Sequence, residues 1–242
     1  MKVSQKVLAG AMAASLCLGL VALSGCTGGS GSSSSAASSA SSNASSTASQ
    51  AAAAGTRQFS DDELLSGKHN VVMQVEGYDP ITIELDADSA PITVTNFVNL
   101  VKEGYYDGLT FYRFDDGFCM QGGSAGNSAA SADTLTPVVG EFSSNGYDNP
   151  LADAFDRGVV AMARTSVPDS ATSTFFVTLG SADQVGRALN GEYAAFGTID
   201  PEGMAIVDAI VADHLEAAAG ANMGMIADES QQAKIESITF VD

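Results

Sequence analysis

The chain has 242 residues, with 29 acidic side chains against 10 basic ones and a formal charge of −19. That balance repels phosphate backbones and anionic headgroups alike, which excludes nucleic-acid binding and direct adhesion to anionic lipid as principal roles. Of its three cysteines, Cys17 and Cys26 lie near the N-terminus, leaving Cys119 without an internal disulfide partner, so stability has to come from an apolar core.

The first residues read as an export signal. Lys2 and Lys6 form a basic flank ahead of a mostly apolar run at 7–23, which is short for a membrane span of about 20 apolar residues. The junction Leu23-Ser24-Gly25-Cys26 has the form of a bacterial lipobox. It predicts removal of the signal peptide 1–25, lipid on Cys26 and an extracytoplasmic protein anchored to the bacterial cell membrane. Removal of 1–25 also takes Lys2 and Lys6 and leaves a charge of about −21. Residues 26–55 then form a Ser/Ala-rich tether that lacks the bulky apolar residues needed to offset chain entropy. About 30 such residues have an r.m.s. span of roughly 30 Å, enough to hold a domain clear of a membrane.

Residues 56–67 are a polar shoulder in which Ser60, with Glu63 three positions on, predicts a short capped helix. From 68 to 242 the chain reads as one domain without internal repeats. Strands are predicted at 71–75, 81–86, 110–114, 118–121, 159–162, 175–178, 194–199 and 235–241. The alternation is clean in Ile81-Thr82-Ile83-Glu84-Leu85 and weaker in the last strand. One helix starts at Pro91, carries Val94, Phe97, Val98 and Val101 on a stripe and stops at Gly104. A second follows Asp200-Pro201 and buries Met204, Val207, Ile210 and Val211. The acidic, Met-rich stretch 217–228 reads as a mobile loop before the last strand. Many strands with two amphipathic helices suit a closed antiparallel barrel with a helix over each open end. His69 and His214 are far apart, and Asp107, Asp115, Asp116, Asp148 and Asp153 lack calcium-loop spacing, so neither a metal nor another cofactor is expected.

Two segments carry the chemistry. Phe111-Tyr112-Arg113-Phe114-Asp115-Asp116-Gly117-Phe118-Cys119-Met120-Gln121-Gly122-Gly123 sets one arginine among apolar residues, with a glutamine eight positions on and a closing glycine pair. A strand-turn-strand carrying that pattern can aim one cation and one amide into an otherwise apolar groove. The second segment runs from Met162-Ala163-Arg164 to Ser173-Thr174-Phe175-Phe176. In this order the two resemble the signatures of the cyclophilin family of peptidyl-prolyl cis-trans isomerases, over roughly residues 70–242. The resemblance implies a mainly β fold, an eight-stranded antiparallel barrel capped by two α-helices. It also implies isomerisation of X–Pro bonds without a cofactor.

That reaction faces a barrier of ~18–20 kcal/mol from amide resonance. Twisting the amide restores a lone pair on the prolyl nitrogen, and an N–H donor aimed there stabilises the twisted state selectively. A guanidinium offers several donors in rigid geometry, and apolar walls strengthen the bond. Arg113 is the candidate donor; without the motif it would read as a surface arginine paired with Asp115 or Asp116. By the resemblance, Gln121 holds Arg113 and the substrate backbone, and Phe118 and Phe176 wall the proline pocket. Ala163 and Arg164 offer main-chain groups, and Leu189 and Tyr193 complete the pocket. Cys119 replaces a methionine common on the floor, and Thr174 stands where glutamine commonly precedes the paired phenylalanines. Phe111 and Phe114 belong to the core rather than the site.

The expected partners are proline-containing exported polypeptides, the membrane through Cys26 and no nucleic acid, with the domain acting as a monomer. Two other readings stay open: a catalytically weak, tethered holdase for proline peptides, and a solute-binding or adhesive surface lipoprotein.

Overall fold

The computed structural model of the chain describes residues 55–130 and 134–242. The segments expected to be a signal peptide and a tether, with Cys26 between them, lie outside the described residues but for Gly55. The elements are β1 (Lys68–Val75), β2 (Ile81–Asp86), α1 (Pro91–Lys102), β3 (Thr110–Asp115), β4 (Cys119–Gly122) and β5 (Val159–Met162). There follow β6 (Phe175–Thr178), α2 (Ala182–Leu189), β7 (Ala195–Ile199), α3 (Pro201–Ala218) and β8 (Ala233–Phe240). The strands close into a barrel in the order β1-β2-β7-β5-β6-β4-β3-β8, and every pairing is antiparallel.

Strand β2 alternates as its sequence dictates, with Ile81, Ile83 and Leu85 buried and Thr82 and Glu84 exposed. The blurred alternation of β8 has a local cause. Its register against β1 slips between Gln74↔Ser237 and Val75↔Ile235, so Glu236 is an extra residue and Ile235 and Ile238 are both buried. Strands β5 and β6 are buried on both faces, because Phe142, Phe155, Val185 and Leu189 cover their outer side in a second apolar cluster.

Inside the barrel, Phe97 of α1 reaches the rings of Tyr106, Phe175 and Phe196 at 5.1, 5.6 and 5.0 Å. Helix α1 packs on β2 and β8, and α3 on β2, β3 and β7. All four stripe residues of each predicted helix are buried. A third helix, α2, was not expected. Only Val185, Gly186 and Leu189 of its eight residues are buried, so its apolar stripe is a single turn long. Its legible mark was the capping box of Ser181 and Gln184.

Two other expectations are corrected. Residues 56–67 contain a turn and no helix: Ser60 N–H and Oγ–H donate to Glu63 Oε2 at 2.8 and 2.7 Å, but nothing propagates it. The shoulder is instead tied to α1, where Leu65 N–H donates to Thr95 Oγ1 at 2.9 Å and Arg57 Nη1 to Asn96 Oδ1 at 3.3 Å. The stretch 217–228 is not a free loop either. Helix α3 runs through Ala218, and Ile226 N–H donates to Tyr112 O of β3 at 2.8 Å.

The first turn of α1 follows Ala90, which has no side-chain acceptor. Glu141, 2% exposed, supplies it from a distant loop. Its oxygens accept from Ile92 N at 3.0 Å, Thr93 N at 2.7 Å and Thr93 Oγ1 at 2.6 Å. Burial pushes its carboxyl up, and the three hydrogen bonds oppose that shift. Asn149 holds the loop by donating to Glu141 O at 2.8 Å and Ala195 O at 2.9 Å. Glu141→Ala is expected to cost about 2–4 kcal/mol of stability and lower the melting temperature by several degrees. Thermal and urea unfolding measure it, and a loss below about 0.5 kcal/mol, an ordinary surface substitution, would mean that the cap is not a structural tie.

Candidate active site

The site lies on the outer face of the barrel and begins with an irregularity in β3. Phe111 pairs with Gly122 and Arg113 with Gln121, so Tyr112 is an extra residue without its own partner. Such a bulge turns two consecutive side chains to one face. Phe111 and Phe114 both enter the core at 0% and 1% exposure, while Tyr112 and Arg113 both reach Gln121. Gly122 is required opposite the bulge, since a Cβ there would meet Thr110 O at 2.3 Å.

Arg113 is 8% exposed. Its Nε donates to Met223 O at 3.0 Å, Nη1 to Gln121 Oε1 at 3.3 Å and Nη2 to Asp115 Oδ2 at 2.7 Å. Three of the five N–H groups are thereby fixed, and the guanidinium lines the groove. Gln121 is held in turn by donating to Tyr112 Oη at 3.1 Å. The ring of Phe118 lies 5.5 Å from the guanidinium carbon. The pairing with Asp115 and the place in the groove are therefore both real, where the sequence offered them as alternatives.

The groove holds about 230 Å³ and is lined by Arg113, Phe118, Cys119, Gln121, Ala163, Arg164, Phe176, Leu189, Tyr193 and Met223. Phe176 stacks on Phe155 at 6.3 Å and meets Tyr193 edge-on at 5.6 Å. Leu189, the last residue of α2, is 2% exposed. Arg164 is more than a main-chain contact. Its guanidinium lies 5.0 Å from the Phe142 ring and 4.8 Å from that of Tyr193. It donates from Nε to Glu192 O at 2.7 Å, from Nη1 to Thr165 O at 2.9 Å and from Nη2 to Glu192 Oε2 at 3.1 Å. This locks the wall that carries Tyr193.

Nine of the ten expected site residues in the described part meet here. Thr174 does not: it is half-buried outside the lining, and its carbonyl accepts from Ala163 N at 2.8 Å. It shapes the groove through the backbone of Ala163. Met223 was missed. The turn residues Gly220 and Gly224 were visible in the sequence, but nothing local said that the turn would land on Arg113.

A model of the family described as "Cyclophilin type peptidyl-prolyl cis-trans isomerase/CLD" matches residues 70–238. A peptidyl-prolyl cis-trans isomerase of Acinetobacter baylyi is 39% identical over 131 residues, covering 54% of this chain and 65% of that protein. Peptidyl-prolyl cis-trans isomerase B of Escherichia coli is 35% identical over 164 residues, covering 66% of this chain and 92% of the relative. A crystal structure of a cyclophilin-type isomerase from Cryptosporidium parvum superposes with a TM-score of 0.58 at 23% identity, covering 73% of this chain and 99% of that one. A second structure of that protein, in the presence of the dipeptide Ala-Pro, gives 0.55 at 24% identity, covering 72% and 99%. These two bear on the fold.

Cys119, 1% exposed on the groove floor, has its thiol pushed up to about 12 by burial, against the pull of the Arg113 guanidinium. A shift from 9 to about 12 cuts the thiolate fraction at neutral pH roughly a thousandfold. Mapped by mass spectrometry, alkylation of Cys119 in the folded chain should be slower than in denaturant by at least about two orders of magnitude. Equal rates in the two states would mean that the floor opens to solvent.

Proposed function

The chain belongs to the cyclophilin-type peptidyl-prolyl cis-trans isomerase family, and on that premise we propose that its groove isomerises X–Pro bonds of exported polypeptides through Arg113. The observation that carries this is a nearly buried guanidinium, fixed by three acceptors, that lines one groove with the apolar side chains of Phe118, Cys119, Phe176 and Leu189. The proline ring sits among Phe118, Cys119, Phe176 and Leu189, which displace water. As the amide twists, the prolyl nitrogen becomes an acceptor and meets an N–H of Arg113 already in place. The donor needs no reorganisation, and low local dielectric strengthens the bond in the twisted state. Gln121, Asp115 and the Met223 carbonyl keep the guanidinium from turning away. Uncatalysed isomerisation takes on the order of tens of seconds, long enough to limit folding.

Arg113→Ala should lower kcat/KM on an Ala-Pro peptide by about a hundredfold or more, the range for removing one preorganised donor, with the circular dichroism spectrum retained. Full turnover in a folded variant would reject the role of Arg113. No turnover by the folded wild-type chain, with peptide binding intact, would favour the holdase reading.

The same proposal places the domain outside the cytoplasm, held by lipid on Cys26. Its support is the basic flank, apolar run and Leu23-Ser24-Gly25-Cys26 junction, followed by a spacer-like tract. Cys26→Ser is expected to abolish palmitate incorporation and release the protein from the membrane fraction. A Cys26→Ser chain that stays lipid-labelled and sediments with membranes would refute the anchor.

A further inference from the structure

Met223 gives that scheme its carbonyl, but its side chain, which lines the groove, has no role in it. Met223 has φ 56 and ψ 29, in the left-handed region disfavoured for a residue with a Cβ. Its neighbour Gly224, at φ 71, lies so close to β3 that a Cβ would meet Phe114 O at 2.1 Å. Beyond it, Met225 forms a bridge with Arg113, and Ile226 N–H donates to Tyr112 O at 2.8 Å. Gln232, 8% exposed, fastens the far end by donating to Ile226 O at 2.8 Å and Asn127 O at 3.2 Å. The segment that follows Met223 is therefore held tightly against β3, with Met223 itself in a strained conformation.

The strain has two consequences at the groove. The Met223 carbonyl accepts from Arg113 Nε at 3.0 Å. Met223 is 53% exposed, one of three exposed large apolar residues among the described residues and the only one of them lining the groove. We propose that Met223 is a specificity-determining residue, its side chain packing against an apolar residue next to the substrate proline while its carbonyl positions Arg113. This rests on the isomerase reading of the same site. An unbranched, polarisable thioether adapts to several apolar shapes. A charged flanking residue would find Arg113 and Asp115 already paired at 2.7 Å. Contact away from the reacting amide contributes binding that truncated peptides forfeit.

The test uses the full chain and peptides that differ in one residue, leucine or serine, on either side of the proline. The wild type should favour leucine on one side by about fivefold to tenfold in kcat/KM, carried by KM. Met223→Ala keeps the carbonyl and should reduce that ratio to below about twofold, while Met223→Leu should preserve it. Met223→Gly, which removes the strain as well as the side chain, should also lose the preference and guards against misfolding of the alanine variant. An unchanged ratio in Met223→Ala, or no leucine preference in the wild type, overturns the proposal. If the wild type turns over none of the peptides, the isomerase reading fails separately. The ratio is then read from peptide dissociation constants, where a leucine preference that survives Met223→Ala overturns the assignment to Met223.

Discussion

The site depends on one extra residue in β3. A regular strand would send Tyr112 to the face opposite Arg113, and one of Phe111 and Phe114 would leave the core. The bulge at Tyr112 lets both phenylalanines stay inside while Tyr112 and Arg113 share the outer face with Gln121. The hydrogen-bonded chain from the Tyr112 hydroxyl through Gln121 to Arg113 follows from that single irregularity. So does the identity of Gly122, because the bulged backbone occupies the space that a side chain would need.

Burying a cation on this face requires that its donors be satisfied, since an unpaired buried charge is far costlier than any gain from packing. The protein meets this in the same way twice. Arg113 is held by a carbonyl, an amide oxygen and a carboxylate, and Arg164 by two carbonyls and a carboxylate with an aromatic ring beside it. Among the described residues no buried side-chain nitrogen or oxygen lacks a partner. Two guanidinium groups line the groove in a chain of formal charge −19, each paired with a carboxylate. Their counterions, Asp115 and Glu192, are 37% and 50% exposed, so water screens the anions more than the cations facing the groove.

Much of this was legible in the chain because it is encoded at short range. All eight strands and both long helices lie within a few residues of their expected bounds, since periods of 2 and 3.6 residues report which face is buried. Arg113, Phe118 and Gln121 lie on one strand-turn-strand unit, so their spacing was itself a geometric statement. Helix α2 escaped notice because one buried turn leaves little periodicity, and the expected helix at Ser60 stopped at a turn because a good cap cannot propagate a helix without an apolar face. Thr174 was expected to bind substrate but lies outside the groove lining, contributing a carbonyl to Ala163 where a side-chain contact was expected.

The sequence by itself determined the strands and the two long helices, because each is set by residues close enough along the chain to share a strand or a helical face, while the closed barrel and the arginine-glutamine pair were implied by the family resemblance of two motifs. Only the tertiary structure decided how those groups are held. Glu141 caps α1 from 48 residues away, and Met223 meets Arg113 across 110. Arg164 and Glu192, 28 residues apart, close the far wall. Such partners are chosen by where loops land once the barrel has closed, and a loop carries no periodicity from which its landing place can be read. The acidic, Met-rich stretch before β8 shows the consequence: its composition suggested mobility, whereas the backbone hydrogen bonds and close packing that place it against Arg113 exist only in the folded molecule.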